Sequence, residues 1–476
     1  MKKLKELIAC DYDILIKGIK TNSSEVEEGD LFVCIDVGTT DRHLFIDDAI
    51  KKGAVAIIAK HTVGQKSVPV IITDPNKVLP EICAKFYDYP NQKLKMIGVT
   101  GTDGKTSIST MLQILMGSDK CGYIGTNGYN CAKFMKDTQN TTPNCDKLFG
   151  YFQEFLDAGC TACSMEVSSE ALIRGRVDGI DYDISIISNI TSEHLNVHGN
   201  LENYIKAKCL LFQNTKKTGY CLLNADDEHF NEVKKCCKGH VLTYGTKKDC
   251  DLYFYNIDLS PVKTIFNFKY KGQEYTVTSP YPGLFNVYNL CASILAMFAL
   301  GYDYADFEKN IANIKVSGRL EMIDEGQDFY VMVDYAHTPN GIAKLLEYVH
   351  MLPIKRSIVV TGQAGGRDPY KRHDVGRIAV MGASHVIFTY EDPRNEDPRA
   401  IIEMMIADVK DRDNYEIVID RAEAIKKAIN MAKPQDMVLI LGKGNESYEK
   451  IKNEVIHFND IEEARKYLKE RLLVKN

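Results

Sequence analysis

The sequence predicts an α/β protein built on mostly parallel sheets, and three observations point there. Strand-like apolar runs alternate with helical stretches along most of the chain. One such run, Lys95–Thr100, passes through a Gly-rich loop into a helical stretch at 107–116. After Ser317-Gly318-Arg319 the alternation starts afresh. Strands that alternate with helices need crossover connections, which cover both faces of a parallel sheet. With 476 residues the chain is too long for one hydrophobic core, so the alternation divides into domains.

The first part is residues 1–92. Strand-type runs fall at 30–35, 54–59 and 68–73, with a helical stretch at 47–52. Phe86-Tyr87-Asp88-Tyr89-Pro90-Asn91 closes it with turn-forming residues. The second part, 93–317, opens on the strand, loop and helix already named, and apolar runs at 161–167, 184–189 and 219–224 extend its sheet. Residues 251–279 alternate in antiparallel style and read as an added small β-sheet. The third part, 318–476, carries strands at 329–334, 356–361, 385–390, 415–419 and 437–441 between helical stretches, a second doubly wound domain. Residues 461–473 read as an amphipathic terminal helix, and no internal repeat stands out.

Composition narrows the function classes. With 45% hydrophobic and 26% charged residues the chain is globular rather than disordered. A formal net charge of −6 argues against a nucleic-acid binder, so any anionic substrate must be held by a few local cations. Residues 1–17 mix charges with apolar residues and lack a secretory signal, and the apolar stretch near 291–300 is short of the ~20 residues that span a bilayer. A cytoplasmic protein with no membrane partner is expected. Fourteen scattered cysteines then read as reduced thiols. Cys160 and Cys163 form a lone CxxC without a second pair or flanking histidine, which reads as packing rather than a metal or redox site.

Gly101-Thr102-Asp103-Gly104-Lys105-Thr106-Ser107 is the first chemical signal. Glycines let main-chain N–H groups close around phosphate oxygens, and a helix N-terminus adds partial positive charge. Lys105 suits the β- and γ-phosphates, and the Thr106 hydroxyl suits Mg²⁺. The spacing is imperfect, because Val99 stands where a glycine is usual. Such a loop does not choose between motor, kinase and ligase. Polar residues at the ends of later apolar runs add to it: Glu166, Ser168, Asn189, His194 and then Lys208. Singly, these are a capping acid, a surface imidazole or a solvated lysine.

Together the segments resemble the Mur ligase family, over essentially the whole chain and in order. They are Gly98 to Thr106, Asn140-Thr141-Thr142-Pro143, Met165-Glu166-Val167-Ser168-Ser169, His194 through Lys208, Phe285-Asn286-Val287-Tyr288-Asn289, Gly318-Arg319-Leu320-Glu321 and Val333 to Pro339. Within the family the chain is similar to the tripeptide-synthetase (MurE) branch, whose members extend UDP-N-acetylmuramoyl-L-alanyl-D-glutamate with a diamino acid. The resemblance implies an N-terminal domain for the UDP end, a central P-loop ATPase-like domain and a C-terminal Rossmann-like domain that brings the amino acid, in a monomer. It implies that ATP phosphorylates the γ-carboxylate of D-glutamate and that the incoming amine displaces phosphate. Lys105, Glu166, His194 and Lys208 would be catalytic, with Mg²⁺ at Thr106, Glu166, His194 and Lys208, the last as a CO₂-derived carbamate. Gly101 to Ser107, Asn289, Arg319 and Asp334 would hold ATP. Thr141, Thr142, Ser168, Arg174 and Arg176 would hold the peptide precursor, and Ser23 its uridine end.

By the same resemblance Arg367, Glu391, Asp392, Pro393, Arg394, Gly442 and Glu446 face the incoming amino acid. Diaminopimelate users carry Asp-Asn-Pro-Arg where this chain has Glu391-Asp392-Pro393-Arg394, and lysine users lack the arginine. Arg394 can bind a distal carboxylate bidentately, which favours meso-diaminopimelate over L-lysine. Asp392 opposes that carboxylate unless an ammonium lies between them, and Arg394 could instead pair with Glu391 or Glu396. Other positions depart from the family pattern: Asp103, Glu170, Glu193, Asn445, and Asn22-Ser23-Ser24 where the uridine end usually has an arginine. Two further classes stay open, a nucleotide-binding regulatory paralogue and a phosphotransferase that leaves a stable phosphorylated product.

Overall fold

Residues 1–37, 40–138, 140–191, 195–452 and 454–475 are described by a computed structural model. They form two compact units, Met1–Asp251 with Ala292–Phe307, and Leu252–Cys291 with Glu308–Asn476.

In the first unit, β1 (Gly18–Lys20), β2 (Asp30–Val33), β3 (Ala56–Ala59) and β4 (Val70–Ile72) form a parallel sheet in that order. β3 is apolar without interruption, β2 is apolar after Asp30, and both are buried throughout, as central parallel strands must be. Helices α1 (Ile46–Lys51) and α2 (Pro75–Phe86) accompany them, α2 starting on an Asp74 cap with Pro75 in its first turn. The turn expected at 86–91 is there, with Asp88 and Tyr89 in left-handed conformation at φ 56° and 53°.

The phosphate-loop sheet follows. Its parallel strands are β5 (Lys95–Thr100), β6 (Cys121–Gly125), β9 (Ala162–Glu166), β10 (Tyr182–Ile187), β11 (Thr215–Asn224) and β12 (His240–Gly245). Beyond β6 come the antiparallel β7 (Gly128–Cys131) and β8 (Phe134–Lys136), giving the order β8-β7-β6-β9-β5-β10-β11-β12. The chain leaves β5 through α3 (Lys105–Met116) towards β6 and later returns on the other side as β10, so the loop after β5 sits where strand order reverses. Open α/β sheets bind ligands at such switch points. One apolar cluster joins Leu31, Val33 and Leu79 to Phe149, Phe152 and Phe155 of α4 (Cys145–Ala158). A polar seam runs beside it, with Thr21 donating to Asp146 at 2.9 Å and Lys147 paired with Glu25.

In the second unit, Leu252–Leu259, Thr264–Tyr270 and Gln273–Ser279 form the expected antiparallel meander. A further sheet has the order β13-β14-β18-β15-β16-β17, from β13 (Glu321–Met322), β14 (Tyr330–Asp334), β15 (Ser357–Thr361), β16 (His385–Phe388), β17 (Tyr415–Ile417) and β18 (Met437–Leu441). All but β13 are parallel. The loops after β14, β15, β16 and β18 all leave the carboxyl end of the sheet. The terminal helix Asp460–Lys475 buries Ala464, Tyr467 and Leu468. Among the described residues, no helix is long and apolar enough to cross a membrane.

Candidate active site

The phosphate loop is held shut by its own side chains and by its neighbours. Gly101 has φ 146°, and a Cβ there would stand 1.9 Å from Ser188 Oγ, so only glycine fits. Thr102 Oγ1 donates to Thr191 O at 3.2 Å and accepts from Thr191 N at 2.9 Å. Asn189 accepts from Asp103 N at 3.1 Å, which fixes the turn of the loop. Lys105 folds back to donate to Gly101 O (2.8 Å) and Thr102 O (2.7 Å). Lys208, on the helix Leu201–Gln213, reaches the same Gly101 oxygen at 2.8 Å, with its ammonium 4.3 Å from the Tyr204 ring centroid. It is 1% exposed. Two ammonium groups thus converge on one loop carbonyl, and Thr106 and Ser107 are buried behind them.

Glu166 ends β9 and is buried. Its Oε1 accepts from Tyr123 Oη (2.6 Å) and Thr126 N (2.9 Å), its Oε2 from Thr126 Oγ1 (3.2 Å). Among the described residues these donors are neutral, and no cation of the protein is paired with the carboxylate. Gly125 makes room for it, since a Cβ there would lie 2.1 Å from Oε1. His194 lies outside the described residues, so its place relative to Glu166 and Lys208 is not given.

The residues expected around the peptide precursor gather nearby. Thr142 donates to Glu166 O at 2.9 Å and accepts from Ser168 N at 3.0 Å. Ser168 caps the helix Ser169–Ile173, and Thr141 meets Thr126 hydroxyl to hydroxyl at 3.1 Å. Arg176 donates to Thr142 O at 3.4 Å and shares Glu170 with Arg174. Glu170, one of the departures from the family pattern, is therefore the acid that orients both arginines. Ser23 lies apart from this group, buried in the N-terminal part, where Lys52 donates to its carbonyl at 3.1 Å.

In the second unit Asp334 ends β14 and accepts from Leu320 N (2.8 Å) and Ala336 N (2.7 Å). Arg319 stacks its guanidinium 4.1 Å from the Tyr335 ring centroid, and Asn289 donates to Asn286 at 3.0 Å. The segments after β16 and β18 bring several acids and one buried lysine together. Asp392 accepts from the fully buried Lys443 at 2.9 Å, and Lys443 also reaches Tyr448 O (2.7 Å) and Glu446 (3.4 Å). Burial pushes Glu391 up to about 7 and raises Glu446 as well. Glu391 Oε2 is buried without a hydrogen-bond partner, beside Gly442. Arg394 sits at φ 52°, pinned by main-chain bonds to Lys450 and Lys452, and its Nε is buried without an acceptor. The alternative partner Glu396 is taken by Arg372 at 2.8 Å, which lowers that acid to about 2. Pro393 is buried, while Arg367 is exposed.

Sequence reasoning missed Tyr123 and Thr126 around Glu166, Tyr204 under Lys208, and Lys443 and Glu449 beside Asp392. Tyr204 alone left a signal, four residues before Lys208 on one helix face. Glu449 is buried, accepts from Tyr390 at 3.3 Å and is pushed by burial up to about 7.

A phosphate loop at the switch point of one parallel sheet, with a second open α/β sheet following in the chain, defines the class. The chain belongs to the Mur ligase family: the Mur ligase middle domain matches residues 99–297, and the Mur ligase, glutamate ligase domain matches residues 318–444. It is 38% identical over 469 residues to the UDP-N-acetylmuramoyl-L-alanyl-D-glutamate–2,6-diaminopimelate ligase of Listeria monocytogenes, covering 96% of this chain and 95% of that one. The protein of the same name from Geobacillus thermodenitrificans is 37% identical over 466 residues, with coverage of 96% and 95%. A solved structure of a ligase of that name aligns with TM-score 0.71 and 29% identity over 99% of both chains. A MurF ligase from Thermotoga maritima in complex with ADP shares the fold at TM-score 0.66 and 20% identity, over 98% of this chain and 100% of that one.

Proposed function

We propose that this chain is an ATP-dependent ligase that joins a diamino acid to UDP-N-acetylmuramoyl-L-alanyl-D-glutamate in peptidoglycan precursor synthesis. The observation that carries the reading is the phosphate loop at the switch point of its sheet, with Lys105 folded onto it and Lys208 brought to the same Gly101 carbonyl where a carbamate would meet the metal. A carboxylate that attacks the γ-phosphate of ATP meets like charge, so cations must gather where the two anions approach. Lys105 exchanges its loop carbonyls for phosphate oxygens, and the loop N–H groups and helix N-terminus hold the triphosphate. Mg²⁺ would neutralise charge between the reacting oxygens, held by Thr106, Glu166, His194 and a carbamate on Lys208. Glu166 fits that role as a buried anion with neutral donors. Thr141, Thr142, Ser168, Arg174 and Arg176 orient the peptide and Ser23 the uridine end. Asn289, Arg319 and Asp334 line the nucleotide. The working parts are 1–92, 93–317 and 318–476, acting as a monomer in the cytoplasm.

The amino acid is meso-diaminopimelate in preference to L-lysine. Arg394 offers a buried Nε with no acceptor of its own, and a substrate carboxylate would supply one. Asp392 does not oppose that carboxylate, because the Lys443 ammonium already neutralises it at 2.9 Å. Glu391 and Glu446 receive the substrate ammonium, helped by Arg367, Pro393 and Gly442 around them. Purified protein with ATP, Mg²⁺ and the UDP-linked dipeptide, offered a panel of diamino acids and read by product mass, tests this. Diaminopimelate should give the most product, and free phosphate should appear only in complete mixtures. Equal product from lysine would overturn the preference, and phosphate release without product would overturn the ligase reading.

A further inference from the structure

The segments that carry Glu391 and Gly442 leave the carboxyl ends of β16 and β18. β15 pairs with each of these strands and lies between them, so their exits are not spaced by pairing with each other. A buried guanidinium spans the gap. Arg421 is fully buried and opens the helix Arg421–Met431, behind an Asp420 cap that accepts from Glu423 N at 2.9 Å. Its Nη1 donates to Tyr390 O at 3.3 Å and its Nη2 to Leu441 O at 3.0 Å. Nε and Nη2 each hold one Asp460 oxygen at 2.7 Å.

Tyr390 directly precedes Glu391, and Leu441 directly precedes Gly442. Those two followers meet, since a Cβ on Gly442 would stand 2.9 Å from Glu391 Oε2. The Lys443–Asp392 pair joins the same two loops further along. Fastening the terminal helix takes only the Asp460 pair, so the bonds to two strand-end carbonyls do something more. A guanidinium presents its N–H groups in fixed directions within one plane, which sets the relative positions of the acceptors it binds. Burial lifts Glu391 and Glu449, and the Arg421 charge comes first among those that oppose it.

We propose that Arg421 is a positioning residue for the amino-acid half of the site, fixing Glu391 and Gly442 at the spacing that receives the substrate ammonium. The inference rests on the function proposed above. Arg421 does not touch the substrate and acts through the bases of the two loops. Its charge is not sufficient for this. A lysine keeps the charge, but an ammonium on a flexible stem does not hold a carboxylate and two carbonyls in one plane.

The test is steady-state kinetics on native protein, Arg421→Lys and Asp460→Asn, varying ATP, the UDP-linked dipeptide and diaminopimelate in turn, with melting temperatures of the same preparations. Arg421→Lys should raise the KM for diaminopimelate about tenfold or more and leave the other two KM values within about twofold of native. Asp460→Asn keeps both carbonyl bonds, so it should lower the melting temperature with the diaminopimelate KM within about twofold of native. A partly unfolded preparation lowers the apparent kcat and leaves each KM in place, which separates positioning from stability. An unchanged diaminopimelate KM in Arg421→Lys, an equal rise for all three substrates, or the same rise in Asp460→Asn would overturn the proposal. If Arg421→Lys does not fold, Arg421→Gln is read in the same way, and failure of both to fold would assign Arg421 to the fold alone and overturn it too. Native protein that forms no product would overturn the function itself, whereas native activity without the KM split overturns only this inference.

Discussion

On the proposed function Asp392 stands where a carboxylate ought to repel the distal carboxylate of diaminopimelate, and the buried Lys443 removes that conflict by pairing with it. On that reading the work of recognition falls on Arg394. Arg394→Ala should raise the KM for diaminopimelate far more than for lysine, by the ~1–3 kcal/mol of a lost charge-assisted hydrogen bond. Steady-state kinetics with both amino acids checks this, and equal losses would show that Arg394 does not read the carboxylate. Glu391 makes a second prediction. Burial raises it from the usual 4.5 to about 7, so its neutral form belongs to the folded state. Its contribution to stability is full below about 4.5 and is lost as pH rises through about 7. Glu391→Gln should therefore flatten the decline of the denaturant midpoint across that window, with Glu446 and Glu449, which burial also raises, left to account for the remainder. An unchanged decline would mean that Glu391 ionises freely in the folded protein.

At the scale of elements, the helix Leu201–Gln213 matters because it carries Lys208 to the phosphate loop. Lys208→Ala should abolish ligation without rescue by added bicarbonate, while the melting temperature stays within a few degrees. Activity like that of the parent would remove the carbamate role. The helix Asp460–Lys475 is fastened at its first residue, where Asp460 holds the fully buried Arg421 through two 2.7 Å bonds. Asp460→Ala leaves that guanidinium unpaired and should cost about 3–5 kcal/mol in urea unfolding. A loss below about 1 kcal/mol would mean that water reaches Arg421. Elements such as Lys95–Thr100 and Met437–Leu441 were legible in the sequence because short apolar runs that lead into glycine-containing loops and alternate with helical stretches fit buried parallel strands. The helix after the loop begins at Lys105 rather than at 107, because Gly104 caps it in the left-handed conformation. The hairpin strands Gly128–Cys131 and Phe134–Lys136 were not legible, since their short mixed runs carry no clear period of two. The Lys443–Asp392 bond was out of reach for a different reason: it joins residues from two loops far apart in sequence, and only the folded sheet brings them together.

Across the whole molecule, family motifs spread over about 350 residues, from Gly98 to Glu446, reduce to two local constructions, a phosphate loop in one unit and a cluster of buried acids in the other. On the proposed function they meet through a single event, transfer of the γ-phosphoryl group to the acceptor carboxylate before the amine arrives. Labelling the γ-carboxylate of the D-glutamyl acceptor with oxygen-18 and analysing the released phosphate tests that event most directly. One labelled oxygen should pass into phosphate for each amide formed, in mixtures with ATP, Mg²⁺ and diaminopimelate. Product that forms while the phosphate stays unlabelled would contradict an acyl phosphate, and with it the role given to the charges around Gly101.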